Sequence, residues 1–161
     1  MRFLFILFFL FGCSNLEFVY EKNDSNFLKN STSLSVTGDQ KNIIYSQLIK
    51  LIGQDVERIY ILEADIREVI SKEIIDSDSA TSKYNVSHTI RYKLIKTNKN
   101  CSILEKKITT TTNYNSKSAG YNFGTDISKT ETIENNLKNN IENFLKVAST
   151  LSNTEICDNE D

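Results

Sequence analysis

The sequence predicts an α+β domain, a two-layer sandwich of helices on a sheet, and three observations predict it. Residues 83–95, "KYNVSHTIRYKLI", alternate strictly between apolar and polar, the period of a half-buried strand. Residues 127–151 carry apolar side chains at three- and four-residue intervals, the period of an amphipathic helix. Between and before them the elements run strand, helix, strands, helix, an order that folds as helices over a sheet.

Taken in order, "NDSNFLKNST", Asn23 to Thr32, is polar and rich in breakers and reads as a tether or loop. Structure is expected from Ser33. "SLSVTG" alternates with Leu34 and Val36 inward, and Gly38-Asp39 makes a turn. Asp39 is placed as the N-cap of a helix over 40–52, with Ile44, Leu48, Leu51 and Ile52 on its apolar face and Gly53 as its stop.

Residues 57–75 fit two templates. Ile59, Leu62, Ile66, Val69 and Ile70 have helical spacing, whereas Tyr60, Leu62, Ala64 and Ile66 alternate as a strand, so periodicity alone leaves both open. The strand that follows puts Tyr84, Val86, His88, Ile90, Tyr92 and Leu94 on one face and Asn85, Ser87, Thr89, Arg91 and Lys93 on the other. "TNKN" is a hairpin turn, and "CSILEKKITTTTNYN" is its β-branched partner strand. The closing helix has a stripe of Ile127, Thr130, Ile133, Leu137, Ile141, Phe144, Leu145, Ala148 and Leu151, with Thr125 or Asp126 as its cap.

The N-terminus poses a different question. In "LFILFFLFGCSNLEF" an apolar run of about nine residues stops at Gly12-Cys13, against the roughly 20 a spanning helix needs and the about 7 to 15 of a signal core. Arg2, the apolar core and the small Gly12 are the parts of a signal peptide. Leu10-Phe11-Gly12-Cys13 resembles the bacterial lipobox, whose cysteine is acylated and becomes the new N-terminus; Phe11 departs from the usual small residue at that place. The alternative is a plain secretory signal, or a buried N-terminal strand, with a chance cysteine. The lipobox reading divides the chain into a signal peptide 1–12, a lipidated tether 13–32, a domain 33–153 and an acidic tail 154–161. Cys13 would be the membrane anchor, since acyl chains contribute about 0.8 kcal/mol per buried methylene and more than one chain anchors stably. Ser14 stands where enterobacterial lipoproteins retained in the inner membrane have Asp, which points to the outer membrane.

Removing the first 12 of 161 residues leaves 149, enough for one domain with a core. Of 19 basic residues only Arg2 is lost, so 18 face 21 acidic ones, and a net charge of −3 gives no reason to expect nucleic-acid binding. With Cys13 acylated, Cys101 and Cys157 remain as a possible disulfide in an oxidising periplasm. Their spacing is not that of a metal site, and the one histidine cannot complete one. No metal or other cofactor is expected.

A lipobox followed by "LEFVY", a strand and a helix, the "TSKY…TIRYKLI" segment, a hairpin, the "TTTNYN" strand end and a long C-terminal helix together resemble the LPS-assembly lipoprotein family, LptE, in its divergent alphaproteobacterial form. The resemblance covers nearly the whole mature chain and rests on the order of its parts. It implies a mixed four-stranded sheet with two helices on one face, which makes 57–75 a strand. It also implies an outer-membrane location on the periplasmic side, seating as a plug in the LPS-transport β-barrel (LptD-like), assistance in assembling that barrel, and contact with lipopolysaccharide. Tyr114 matches the tyrosine that closes the strand before the loop. Lys83 stands where many relatives have Arg, keeping the charge and losing the bidentate fork. Lys83, Arg91 and Lys93 are the expected ligand or partner contacts, because lysine and arginine receive phosphates. The plainer alternative makes these residues the solvated face of a half-buried sheet.

Two other functions compete. An enzyme has little to rest on: His88 lies on the predicted apolar face, where a core histidine is the commoner role, and no nucleophile elbow or phosphate loop is visible. Glu63 and Asp65 would share a strand face. A non-enzymatic, periplasm-facing lipoprotein that binds another envelope protein or a small ligand is the second.

Overall fold

The computed structural model describes residues 27–54, 56–74, 81–99, 101–117 and 123–151. They form β1 (Thr32–Gly38), α1 (Lys41–Ile52), β2 (Tyr60–Ile74), β3 (Thr81–Lys96), β4 (Cys101–Lys117) and α2 (Phe123–Ala148). The sheet order is β1-β2-β3-β4, with β1 parallel to β2 and the other neighbours antiparallel. This is the predicted mixed four-stranded sheet with two helices on one face.

Burial decides the stretch that periodicity left open. Tyr60, Leu62, Ala64 and Ile66 are all buried, whereas Ile59, Val69 and Ile70 of the helical stripe are 37, 51 and 42 % exposed. A strand buries every second residue, and here that set is the apolar one. Across the ladder the inward residues of β3 are those expected, with Val86, His88, Ile90, Tyr92 and Leu94 buried. Tyr84 lies at the rim, stacked on Tyr114 with ring centroids 5.1 Å apart.

Both helices pack their apolar stripes onto this face. α1 contributes Ile44, Leu48 and Ile52, and α2 contributes Ile133, Leu137, Ile141, Phe144 and Ala148. Tyr92 and Phe144 stack with centroids 4.2 Å apart at the centre of the core. Each fully buried apolar side chain of this size stabilises the fold by about 1.5–3 kcal/mol relative to exposure.

Several local expectations are corrected. Leu51 is 37 % exposed and lies off the buried face of α1. Ile127 is 46 % exposed and Thr130 is exposed too, so among the described side chains the buried stripe of α2 starts at Ile133. α2 begins at Phe123, ahead of both Thr125 and Asp126, so neither can be its N-cap. The N-cap of α1 is Gln40, at φ 54°, with no side-chain cap bond. Asp39 is used elsewhere: its N–H donates to the Ile66 carbonyl (3.0 Å) and its carboxylate accepts the Glu68 N–H (2.8 Å). The folded region also starts earlier than Ser33. Leu28 is fully buried, the Thr32 hydroxyl donates to its carbonyl at 2.9 Å, and the Asn30 N–H donates to the Ile52 carbonyl at 2.7 Å, tying 27–32 to the end of α1. A polar composition concealed two apolar anchors, Phe27 and Leu28.

Glycine is required at Gly38, where φ is 91° and a Cβ would run into the Ile66 carbonyl oxygen. Gly53, at φ 79°, donates its N–H to the Ile49 carbonyl and closes α1 as predicted.

Candidate functional site

The helices cover one face of the sheet and leave the other open. Strand alternation puts Glu63, Asp65, Arg67, Val69 and Glu73 of β2 on that open face, with Lys83, Thr89, Arg91 and Lys93 of β3 and Glu105, Lys107 and Thr109 of β4. The register aligns them in rows. One runs Thr37, Asp65, Arg91, Lys107; the next runs Ser35, Glu63, Lys93, Glu105; a third runs Arg67, Thr89, Thr109.

Two adjoining depressions lie over these rows. One, of about 410 Å³, is lined by Ser35, Thr37, Glu63, Asp65, Arg91, Lys93 and Glu105. The other, of about 230 Å³, is lined by Asp65, Arg67, Thr89, Arg91 and Lys107. Three cations and one carboxylate surround the smaller one. The Asp65 carboxylate accepts a hydrogen bond from the Thr37 hydroxyl at 3.0 Å, on the side away from Arg91. Among the described residues Arg67, Arg91 and Lys107 make no ion pair. The Thr89 and Thr109 hydroxyls lie 2.9 Å apart at the floor between them. Guanidinium, ammonium and hydroxyl groups around one concavity suit an anionic oxygen group.

The three expected contacts therefore separate. Arg91 and Lys93 are brought together on the open face. Lys93 stands between Glu63 and Glu105, which offset its charge locally. Lys83 lies eight residues back along β3, roughly 26 Å away at strand rise, and its Nζ is 3.5 Å from the Glu73 carboxylate. It does not join the other two. Arg67 and Lys107 are the cations sequence reading did not select as contacts. Arg67 was hidden by the helix–strand ambiguity of its segment. Lys107 lies in a segment read only as the partner strand; neighbours in a strand point opposite ways, so Lys107 is on the open face and Lys106, opposite Tyr92, is on the helix side.

Beneath the helices lies a buried polar network. His88 is fully buried, with Nε2 2.8 Å from Glu68 Oε2 and Nδ1 2.7 Å from Asn136 Nδ2. The Asn136 amide also donates to the Thr110 carbonyl at 3.3 Å. In this arrangement Nδ1 accepts and Nε2 carries the proton toward Glu68. Asn140 accepts from the Tyr92 hydroxyl (3.1 Å) and donates to the Ile108 carbonyl (3.2 Å) and the Thr110 hydroxyl (3.0 Å). Burial pushes the Tyr92 phenol well above the ordinary tyrosine range, so it stays a donor. His88 thus fixes α2 to β2 and β3 as a core residue.

Cys101, at the start of β4, is disulfide-bonded. Its expected partner Cys157 and the expected lipidation site Cys13 both lie outside the described residues. No described helix is long and apolar enough to cross a membrane.

The same architecture recurs in solved structures of other proteins. It superposes on a protein of Caulobacter crescentus CB15 named a candidate lipoprotein, with a TM-score of 0.60 over 78 % of this chain and 92 % of the other, at 12 % identity. A minor lipoprotein of Acinetobacter baumannii matches with a TM-score of 0.51 over 74 % of this chain and 90 % of the other, at 10 % identity. The rare lipoprotein B of Shewanella oneidensis matches with a TM-score of 0.51 over 74 and 94 %, at 9 % identity. What is shared is the fold. In sequence, the chain is 27 % identical over 118 residues to the uncharacterised protein RP188 of Rickettsia prowazekii (strain Madrid E), covering 70 % of this chain and 73 % of that one. No family model matches.

Proposed function

We propose that this chain is an outer-membrane lipoprotein of the LptE type, acylated at Cys13, that seats in the LPS-transport β-barrel and assists its assembly and the delivery of lipopolysaccharide. One observation carries the reading: a lipobox-like Leu10-Phe11-Gly12-Cys13 stands ahead of a domain whose fold recurs in three structures named as lipoproteins or candidate lipoproteins.

The open face suits the role. A plug in a barrel must present polar surface to a polar lumen, and the rows of carboxylates, cations and hydroxyls provide it. In this reading Arg91, flanked by Arg67 and Lys107, receives phosphate oxygens of lipopolysaccharide, and Lys93 takes part in the mixed-charge contact with the barrel wall. Lys83, paired with Glu73 and distant along β3, stands apart from this contact.

Affinity purification of the tagged, lipidated protein from its native envelope in mild detergent tests the reading. Recovery of a large outer-membrane β-barrel in about equal amount supports it. Recovery of the protein alone, or with soluble partners only, overturns it.

A further inference from the structure

Among the described residues, the lane beside β2 is only half filled. β1 pairs with Tyr60 to Ile66 and stops at Gly38, while β2 runs on to Ile74. The turn after β1 closes the next position, because Asp39 donates to the Ile66 carbonyl and accepts from the Glu68 N–H. These bonds also fix the alternation: the even-numbered residues of β2 turn their backbone groups away from β3. The N–H and C=O of Ile70 and Lys72 therefore point into the empty lane, and among the described residues nothing pairs with them. Val69 and Ile70, on opposite faces, are 51 and 42 % exposed beside this free backbone.

We propose that this edge, Val69 to Glu73, is a docking site for one extended segment of a partner protein, which adds to the sheet as an antiparallel strand in the lane of β1. The inference stands without the barrel reading. Alternating free donors and acceptors at strand spacing are matched by another extended backbone, which makes the occupant a strand. Its side chains follow from those it meets: a cation opposite Glu73, a carboxylate opposite Lys72, any residue opposite Ser71, and apolar residues opposite Ile70 and Val69. In the N-to-C direction that reads basic, acidic, any, apolar, apolar.

A second copy of this chain pairing through this same edge fits poorly. Pairing β2 with itself so that Ile74 of the neighbour stays clear of Asp39 places Lys72 against Lys72, or Glu73 against Glu73, on the two-fold axis. Like charges directly opposite are destabilising, so a different chain is the better occupant.

The test uses the full chain in detergent and a synthetic decapeptide containing Arg-Asp-Thr-Ile-Val. Residue-level hydrogen exchange at millimolar peptide is expected to slow the Ile70 and Lys72 amides, and a scrambled peptide is expected to leave them unchanged. Ile70→Pro removes a donor from the free edge alone, the place where a strand tolerates proline, and abolishes the effect. Lys72→Glu weakens binding by about fivefold, and a peptide with Lys in place of Asp restores it. No protection at millimolar peptide, protection that survives Ile70→Pro, or failure of the charge-reversed peptide to rescue Lys72→Glu overturns the proposal. So does protection that rises with protein concentration alone, which would make the occupant a second copy.

Discussion

Arg91 stands directly opposite Asp65 across the β2–β3 ladder, yet the Asp65 carboxylate accepts a hydrogen bond from Thr37 on its other side, 3.0 Å away. Three adjacent strands thereby separate a carboxylate from the cation that register would give it. Arg91 is left to share a depression with Arg67 and Lys107 instead.

On the proposed reading, charge reaches the ligand at this depression and not at Lys83. Arg91→Ala is expected to weaken binding to immobilised lipopolysaccharide about tenfold, or about 1.4 kcal/mol, and Arg67→Ala and Lys107→Ala by somewhat less. Lys83→Ala, which breaks only an exposed pair with Glu73, is expected to stay within a factor of two. Equal losses at Lys83 and Arg91 would contradict the assignment.

Freeing Asp65 should have an effect of its own. Thr37→Val removes the hydroxyl that holds the carboxylate toward β1, so the carboxylate can turn onto Arg91 and compete with an anion there. Binding is expected to fall a few-fold with the fold intact, and the double variant with Asp65→Asn is expected to recover it; surface plasmon resonance on the same lipopolysaccharide measures both.

The network under α2 is expected to contribute stability through satisfied buried polar groups. Asn140→Ala strips the buried Tyr92 hydroxyl of its acceptor and removes a donor from the partly buried Ile108 carbonyl. Leaving a buried group unpaired costs about 1–3 kcal/mol, so a loss of about 2 kcal/mol in urea unfolding is the expected outcome. A loss under 1 kcal/mol would mean that the network is not holding the helix.

Tyr92 sets an alkaline limit. Its folded-state pKa is raised above the unfolded value of about 10 by burial. Above that pH the unfolded chain gives up this proton and the folded chain keeps it, so stability is intact below pH 10 and declines as pH rises beyond it. The slope is at most about 1.4 kcal/mol per pH unit for one group. Stability measured from pH 8 to 11 is expected to show this decline, and Tyr92→Phe is expected to flatten it.

The disulfide at Cys101 is expected to join Cys157. Peptide mapping without reductant should recover the two in one linked fragment, and Cys101→Ser should cost about 2–4 kcal/mol under oxidising conditions.

Much of the fold was legible because its strongest signals are periodic. The alternation from Tyr84 to Leu94 and the three- and four-residue stripe from Ile133 to Ala148 each encode which face is covered. The segment from Ile59 to Ile70 was not legible alone, since Leu62 and Ile66 satisfy both periods and only the sheet around them chooses between the two. Caps failed at Asp39 because its carboxylate found a better donor 29 residues away, at Glu68, which no local rule anticipates. The site was half legible for the same reason. Arg91 is outward in any strand reading, but its grouping with Arg67 and Lys107, and the isolation of Lys83, depend on strand order and register.

The central claim is that the open face meets the barrel while the helix face does not. A photo-reactive amino acid placed at Lys93, and separately at Glu142 on the exposed side of α2, tests it in the native envelope. The account predicts that the probe at Lys93 cross-links to a large outer-membrane β-barrel and that the probe at Glu142 does not. A cross-link from Glu142 alone, or no barrel product from either position, would contradict it.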